Sequence, residues 1–395
     1  MNIQTREVGS EVLVPTLEDL RARFSPYLSE MEIIRALPAG AIEELRKIGV
    51  FRMFTPNRFG GLELAFPTAL ELVRRIAMID GSIGWIAAIN SGAAIILPRL
   101  PLSALEEVYK NGPDQVVAGS AQAKGVGMRV AGGWRVTGRW PLASGCKAAN
   151  WMIAGFKDGD ADPDDKSAGT KQMLLPARQF TVEDTWKVMG LRGTGSHHIS
   201  IEDAFVSDDF VLTLGPGKPC VDVPLYRHPA HLIALGHGSV HLGIARAAIA
   251  DLVDLQREKP ADTAGKREFI QFELGKAHGK LRAAQAAFDL QVRSNWADAC
   301  DDVPMNPVTL GDTIQILVHI AAETLSIVRS CFELGGSAAV YEDSPLQRRL
   351  RDIQVATQHS LIHKTNWMAG GKVLLSGEGG ALLNALLPGL GEGNR

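Results

Sequence analysis

The chain has 395 residues, enough for two or three domains around a sizeable core. Apolar residues make up 46% and charged residues 22%, an ordinary globular balance, and the net charge of −3 excludes a broad field for nucleic acid or an anionic membrane. Any anion site therefore has to be local. The four cysteines, Cys146, Cys220, Cys300 and Cys331, form no CxxC pair, which points to reduced thiols and a cytoplasmic protein. The opening MNIQTREVGSEVLVP lacks a signal peptide's apolar run, and no uninterrupted apolar stretch is read as approaching the roughly 20 residues of a membrane span.

The first part, 1–113, reads as helical. Thr16 and Asp19 fit the cap of a helix over LEDLRARF, and AIEELRKIGVF carries helical periodicity up to Pro56. Thr68 and Glu71 have the spacing of a capping box for ALELVRRIAMI. Asp80 or Ser82 opens GWIAAINSGAAIIL, apolar nearly all round, as expected of a helix buried in a core or against a ligand. The middle, 114–216, turns to short β-rich runs (VVAGSA, MRVAGGWRVTGRW, NWMIAGF, KQMLLPA, TVEDTW, HISIEDAFV) spaced as in a small barrel or sandwich. Between two of them, KDGDADPDDKSAGT reads as a solvated loop. The last part, 225–395, reads as four long helices at about 227–258, 266–298, 307–335 and 346–376, broken at Pro260, at Pro304 with Pro307, and at Gly335-Gly336. The fold class is thus mainly α with a central β domain: N-terminal helices, a small barrel or sandwich, and a C-terminal four-helix bundle.

Two stretches carry the chemical signal. In GGWRVTGRWPLASGC, Gly132-Gly133 marks a hairpin, and the strand then leaves on the small residues Ala143, Ser144 and Gly145, which let a flat ligand approach the backbone. GLRGTGS supplies glycines, Arg192, Thr194 and Ser196, a combination of free N–H groups, hydroxyls and one cation that suits a phosphate. The plain alternatives are a strand bend and a glycine-rich surface turn. His237 and His241 are four apart, as are His359 and His363, but no nearby carboxylate completes a metal set, so His237, His241, His197 and His198 read as structural or surface groups. No GxGxxG follows a strand, so binding of NAD(P)H is not expected.

VTGRWPLASGC followed by MGLRGTGSHHISIEDAFV resembles the acyl-CoA dehydrogenase superfamily, and more narrowly its flavin-dependent two-component (group D) monooxygenase branch. The resemblance runs from LRKIGVFRMFTPNRFGG to RRLRDIQVATQH. It implies an oxygenase component that takes reduced FMN or FAD from a separate flavin reductase and, through a C4a-hydroperoxyflavin, hydroxylates an aromatic or heteroatom-containing small molecule. It also implies a homotetramer built through the last bundle. By the same resemblance Ser144 meets flavin N5, with Ala143 beside it, while Arg192, Thr194 and Ser196 hold the flavin phosphates. Gly119, Ser120 and Gln122 line the pyrimidine edge and the substrate cavity, with a β-bulge as the alternative for this glycine. Gln271, with Arg267 and Arg282, stands where the family meets the flavin phosphate, and Gly336 in LGGSAAVY where backbone meets a neighbouring subunit's cofactor. Trp186 either packs beside the ring or is an ordinary core tryptophan.

His359 follows the pair Arg351-Asp352 at the branch's spacing, two helical turns that would set it on one face with Asp352. The resemblance makes it an acid, a base or a hydroperoxide stabiliser. The glutamate base of the parent dehydrogenases is missing here, since no carboxylate follows Asp352 until Glu378. Related phenol hydroxylases carry a histidine on the early apolar helix; here Asn90 and Ser91 are the polar groups available to a substrate. The other readings are an acyl-CoA dehydrogenase or oxidase with bound FAD, and a flavin-binding scaffold without catalysis.

Overall fold

A computed structural model describes residues 14–161, 170–212, 218–258, 264–304 and 306–376. Most of the acidic loop, residues 1–13 and Glu378 lie outside them. Helices α1 (Leu17–Phe24), α2 (Leu28–Ile34), α3 (Ala39–Lys47), α4 (Phe66–Ile79), α5 (Gly81–Gly92) and α6 (Leu102–Tyr109) come first. Thr16 caps α1 with Asp19 in a reciprocal box, as the spacing predicts. The box read at Thr68 is absent. Pro67, whose fixed φ suits a first turn, starts α4 at Phe66, and Glu71 pairs instead with Arg75. Asp80 caps α5, accepting from the backbone N–H groups of Ser82 (2.8 Å) and Ile83 (3.1 Å).

Among the described residues seven strands follow: β1 (Val117–Val130), β2 (Gly133–Ala143), β3 (Trp151–Asp158), β4 (Lys171–Pro176), β5 (Thr181–Glu183), β6 (His197–Ser207) and β7 (Val211–Leu212). They form one sheet in the order β5-β6-β2-β1-β3-β4-β7, antiparallel except for the β1–β3 pair. The hairpin turn is Ala131-Gly132, with Gly132 at φ +75°. VVAGSA and the MRV run prove to be one long strand, interrupted against β3 by register shifts between Ser120 and Gly125. The sheet has its own core around the fully buried Trp140, whose Nε1 donates to the Gly155 carbonyl at 2.7 Å. Gly119 starts the irregular stretch at φ +141°, and a Cβ there would lie 1.8 Å from the Ile153 carbonyl oxygen. Gly119→Ala is therefore expected to cost about 3 kcal/mol or more, measured by chemical denaturation, because neither the strand contact nor the backbone angle admits a side chain.

The chain then passes through α7 (Pro224–Arg227) into α8 (Pro229–Glu258), α9 (Ala264–Cys300), α10 (Pro307–Gly335), α11 (Pro345–Ala356) and α12 (Trp367–Ser376). The fourth long helix read at 346–376 is broken. Thr357 turns its hydroxyl to the Gln354 carbonyl, His359 N closes on the Ala356 carbonyl, and His363 accepts from Thr365 N to start the next turn. Such local bonds compete with helix continuation. His359 thus sits beyond the end of α11, and helical spacing from Asp352 does not place it. One apolar core joins α1 to α5 with the later helices.

Among the described residues, three helical segments are long and apolar enough to cross a membrane by length and composition: Gly81–Arg99, Leu232–Glu258 and Val308–Ala339. This corrects the reading that none approaches a span, because scattered glycines and hydroxyls hid the summed hydropathy. They are 89%, 83% and 50% buried inside the protein, so the apolar faces of the first two serve the core.

Candidate active site

The sheet brings the two signal stretches together. Ala143, at the end of β2, pairs with His197, at the start of β6, so the ASG bend and the GTGS loop must meet. Gly145 N donates to the Thr194 carbonyl at 2.8 Å, with Gly145 at φ +75° and Gly195 at φ +53°. Across this seam runs a chain of buried hydroxyls. Thr194 Oγ1 donates to the Leu191 carbonyl (2.8 Å) and stands 2.7 Å from Ser196 Oγ, which stands 2.8 Å from Ser144 Oγ; Trp85 Nε1 donates to Ser144 Oγ at 3.2 Å. Each hydroxyl has one proton, so the direction is fixed from the carbonyl end. Thr194 gives its proton to Leu191, Ser196 therefore gives its own to Thr194, and Ser144 gives its own to Ser196. Ser144 Oγ accepts from Trp85 and keeps one lone pair.

The loop is held from behind by α11. Arg351 donates to the Met189 carbonyl at 2.6 Å, and the Asp352 carboxylate accepts from Leu191 N, also at 2.6 Å. Gly190 lies so close that a Cβ there would come within 2.1 Å of the Arg351 carbonyl oxygen. Leu191 takes the left-handed conformation at φ +50°. The Arg-Asp pair is thus the clamp of the glycine-rich loop. Asp352 is fully buried near Asp80, which pairs with Arg348 at 2.7 Å. Burial first, and then the neighbouring Asp80, raise the Asp352 carboxyl to about 7.

Beside Ser144 stands a group of rings from three elements. Trp85 of α5 meets His237 of α8 edge-on (centroids 5.2 Å) and His359 edge-on (5.6 Å), while the two imidazoles lie 4.2 Å apart. Burial, followed by the neighbouring imidazoles, pushes His237 well below its ordinary value. Burial and His241 push His359 down to about 4, and burial pushes His241 to about 4. All three are neutral near pH 7.

Ser144, Thr194 and Ser196 are therefore joined directly, and Trp85 links them to His359, with Ala143 buried at the bend. Arg192, in the same loop, has a buried Nε without a hydrogen-bond partner among the described residues. Asn90 Nδ2 donates to the carbonyls of Val117 (2.9 Å) and Ser144 (3.0 Å), so its amide braces the bend; the Ser91 hydroxyl bonds the Ala87 carbonyl of its own helix. Ser120 is buried and Gln122 is exposed on β1, and Gly119 is accounted for by the Ile153 contact. Trp186 donates to the Leu191 carbonyl at 3.1 Å, under the loop. His197 Nδ1 accepts from Thr185 and Trp186 N–H groups, a structural role. Arg267, Gln271 and Arg282 lie exposed on α9, and Gly336 lies exposed at the end of α10. No motif marks Trp85, and His237, expected to be a structural or surface group, stands instead among the site's rings. The one available signal was an indole N–H on an otherwise apolar helix.

A cleft of ≈ 490 Å³ lies elsewhere, lined by residues such as Arg46, Lys110, Asn150 and Arg178, and holds none of these groups. A small crevice at Gly145, Thr194 and Gly195 touches the bend itself. Size favours the first; the second adjoins the hydroxyl chain, since Thr194, which bonds Ser196 and through it Ser144, lines it, and that chemistry decides for the second. A flavin fits these residues. Ser144 has a free lone pair for a ring N–H, the loop glycines open backbone to a flat group, and the orphan Arg192 Nε suits an anionic phosphate.

This layout, helices, one sheet and a helical bundle with a seam at the strand ends, is the acyl-CoA dehydrogenase fold. The family described as acyl-CoA dehydrogenase, C-terminal domain, matches residues 235–364. The chain is 33% identical over 367 residues to the indole-3-acetate monooxygenase of Pseudomonas putida, covering 91% of this chain and 92% of that protein. It is 34% identical to the FADH(2)-dependent resorcinol hydroxylase, oxygenase component, of a Rhizobium species, over 89% and 90% of the two chains. Its structure resembles the 3-HSA hydroxylase of Rhodococcus sp. RHA1 with a TM-score of 0.83 at 25% identity, covering 91% of this chain and 94% of that one. It also resembles XiaF from a Streptomyces species, solved with FADH2 and glycerol, with a TM-score of 0.81 at 26% identity, over 90% and 92%. The chain belongs to the flavin-dependent monooxygenases of the acyl-CoA dehydrogenase superfamily. It is the oxygenase component of a two-component system and works on reduced flavin with a small-molecule substrate. The dehydrogenase and scaffold readings give way to this one.

Proposed function

We propose that this oxygenase hydroxylates a small aromatic ring and that the bend, the loop and the imidazoles divide the work. The observation that carries the reading is the directed hydroxyl chain, which leaves one lone pair on Ser144 beside Trp85, His237 and His359. Reduced flavin, FMN or FAD, supplies the oxygen-activating chemistry when bound. Ser144 Oγ accepts the ring N5–H and holds that proton in place. Arg192, with Thr194 and Ser196 nearby, holds the phosphate end. Trp85 and the neutral imidazoles keep the substrate side apolar and free of bulk water. The names of the relatives, which act on an indole acid and on resorcinol, support an aromatic substrate.

Gln271 and Gly336 act across subunits in a homotetramer. The exposed apolar side chains Phe269 and Phe272 on α9, with Val340 and Tyr341 after α10, support that assembly. The reductase is a separate, diffusing partner, and the working compartment is the cytoplasm, in keeping with four unpaired cysteines. We take the units to be 1–113, 114–216 and 225–395.

The test is turnover of an aromatic panel, indole-3-acetate and resorcinol included, with chemically reduced FAD or FMN and oxygen but no reductase. Product without NAD(P)H is expected; release of all reducing equivalents as hydrogen peroxide with every compound would refute the reading. Ser144→Ala is expected to lower product per flavin oxidised roughly tenfold, the scale of one lost hydrogen bond, with a matching rise in peroxide. An unchanged coupling ratio in that variant would remove Ser144 from the N5 contact.

A further inference from the structure

The two imidazoles at the site are not equivalent, and their hydrogen bonds say how. His237 Nδ1 lies 3.2 Å from the Ala234 carbonyl oxygen, and His241 Nδ1 lies 2.9 Å from the His237 carbonyl oxygen. A carbonyl only accepts, so both rings carry their proton on Nδ1 and present a bare lone pair at Nε2. Both Nε2 atoms are buried and have no partner among the described residues. His359 is the reverse case. Its Nδ1 accepts from Leu361 N–H at 3.3 Å, which leaves the proton of the neutral ring on Nε2. Burial keeps all three rings neutral, so these tautomers describe the working state. No hydrogen bond joins His237 Nε2 to His359, although the ring centroids are only 4.2 Å apart.

We infer that His237 and His359 form a matched acceptor and donor for the substrate, His237 accepting through Nε2 and His359 donating through Nε2–H, so that the ring bound there carries an O–H or N–H. This rests on the oxygenase reading and deepens it. A buried acceptor without a partner is costly, and a substrate proton removes that cost. A methyl ether or an N-methyl ring leaves it in place, and a bare carboxylate would set its own lone pairs against His237. His237 is then a specificity-determining residue, and His359 serves as a donor rather than as the group that takes the substrate's proton. A hydroxyl satisfies both rings, and an N–H satisfies His237 alone. His241, one turn further along α8 and held by the same kind of backbone bond, offers a second acceptor behind the first.

Two measurements test this. Long-range nitrogen–proton spectra of the histidines near neutral pH are expected to show Nδ1–H for His237 and His241 and Nε2–H for His359. A proton on Nε2 of His237 overturns the inference. The second is anaerobic equilibrium dialysis with reduced FAD and two probe pairs, phenol with anisole and indole with 1-methylindole. The O–H or N–H member should bind about tenfold or more tightly than its methylated partner in the wild type. The ratio should fall close to one in His237→Leu and be partly kept in His237→Gln, whose amide oxygen still accepts. Equal binding within both pairs, retention of none of the four, or an unchanged ratio in a His237→Leu protein with native circular dichroism overturns the inference. Failure of the wild type to retain reduced FAD in the same dialysis removes the oxygenase reading instead, while the spectra still decide the tautomers.

Discussion

Asp352→Ala is expected to loosen the glycine-rich loop, lowering stability by about 2–3 kcal/mol and weakening retention of reduced flavin roughly tenfold to a hundredfold. The Leu191 N–H has Asp352 as its acceptor at 2.6 Å, in a fully buried setting, and alanine leaves that donor stranded. The loop cannot readily find another arrangement, because Gly190 already touches the Arg351 backbone and Leu191 holds a left-handed angle. Asp352→Asn keeps an oxygen for Leu191 and should lose little. The pH dependence separates the two roles of the carboxyl. Its pKa is raised from 3.8 to about 7, so the folded state binds more protons than the unfolded one across that window. The contribution of Asp352 to stability therefore falls as pH rises from about 4 to about 7, and Asp352→Asn should remove that slope. Denaturation curves at both ends of the window, with flavin dialysis on each variant, provide the check. An alanine variant within experimental error of the wild type in both would sink the clamp.

The order of helices, sheet and helices was legible because proline and glycine punctuate the chain where the periodicity changes. Meeting of the ASG bend with the GTGS loop was legible only through resemblance; its physical cause, antiparallel pairing of Ala143 with His197, is a register that periodicity does not fix. The break after α11 was invisible, since Thr357, His359 and His363 stop the helix through side-chain bonds rather than through glycine or proline. That break carries His359 off the helix and turns it toward Trp85. His237 reads as a structural or surface group for a different reason. It lies on α8, far along the chain from both loops, and only the packing of α8 against α5 brings it to Trp85. A lone histidine on an apolar helix face carries no mark of that meeting. The Arg-Asp pair was read as a spacing ruler for His359, whereas the structure uses it on the backbone of residues 189 and 191.

The imidazole group makes the protein sensitive to acid in the opposite sense to Asp352. His241 is depressed from 6.5 to about 4 because its fully buried charge would lose hydration. Between those values the unfolded chain binds more protons than the folded one, so stability is fully present above about 6.5 and is lost as pH falls toward 4. The difference of 2.5 pH units (6.5 − 4) corresponds to about 3 kcal/mol for this one ring. His237 is displaced in the same direction, and protonating it beside His359 adds like-charge repulsion across 4.2 Å. The acid limb of the stability curve should therefore be steep, with the opposite response of Asp352 offsetting only part of it. His241→Phe keeps an aromatic ring in the space. The carbonyl that His241 Nδ1 bonds is the helical acceptor four residues back, so the native state at neutral pH should change little. Urea denaturation of both proteins at steps from neutral to pH about 4.5 is the measurement. The phenylalanine variant should show a visibly shallower loss, overtaking the wild type as the acid end is approached. Parallel curves would mean that the buried ring already titrates as it does in water, and the neutral donor–acceptor arrangement around His237 would fall with it.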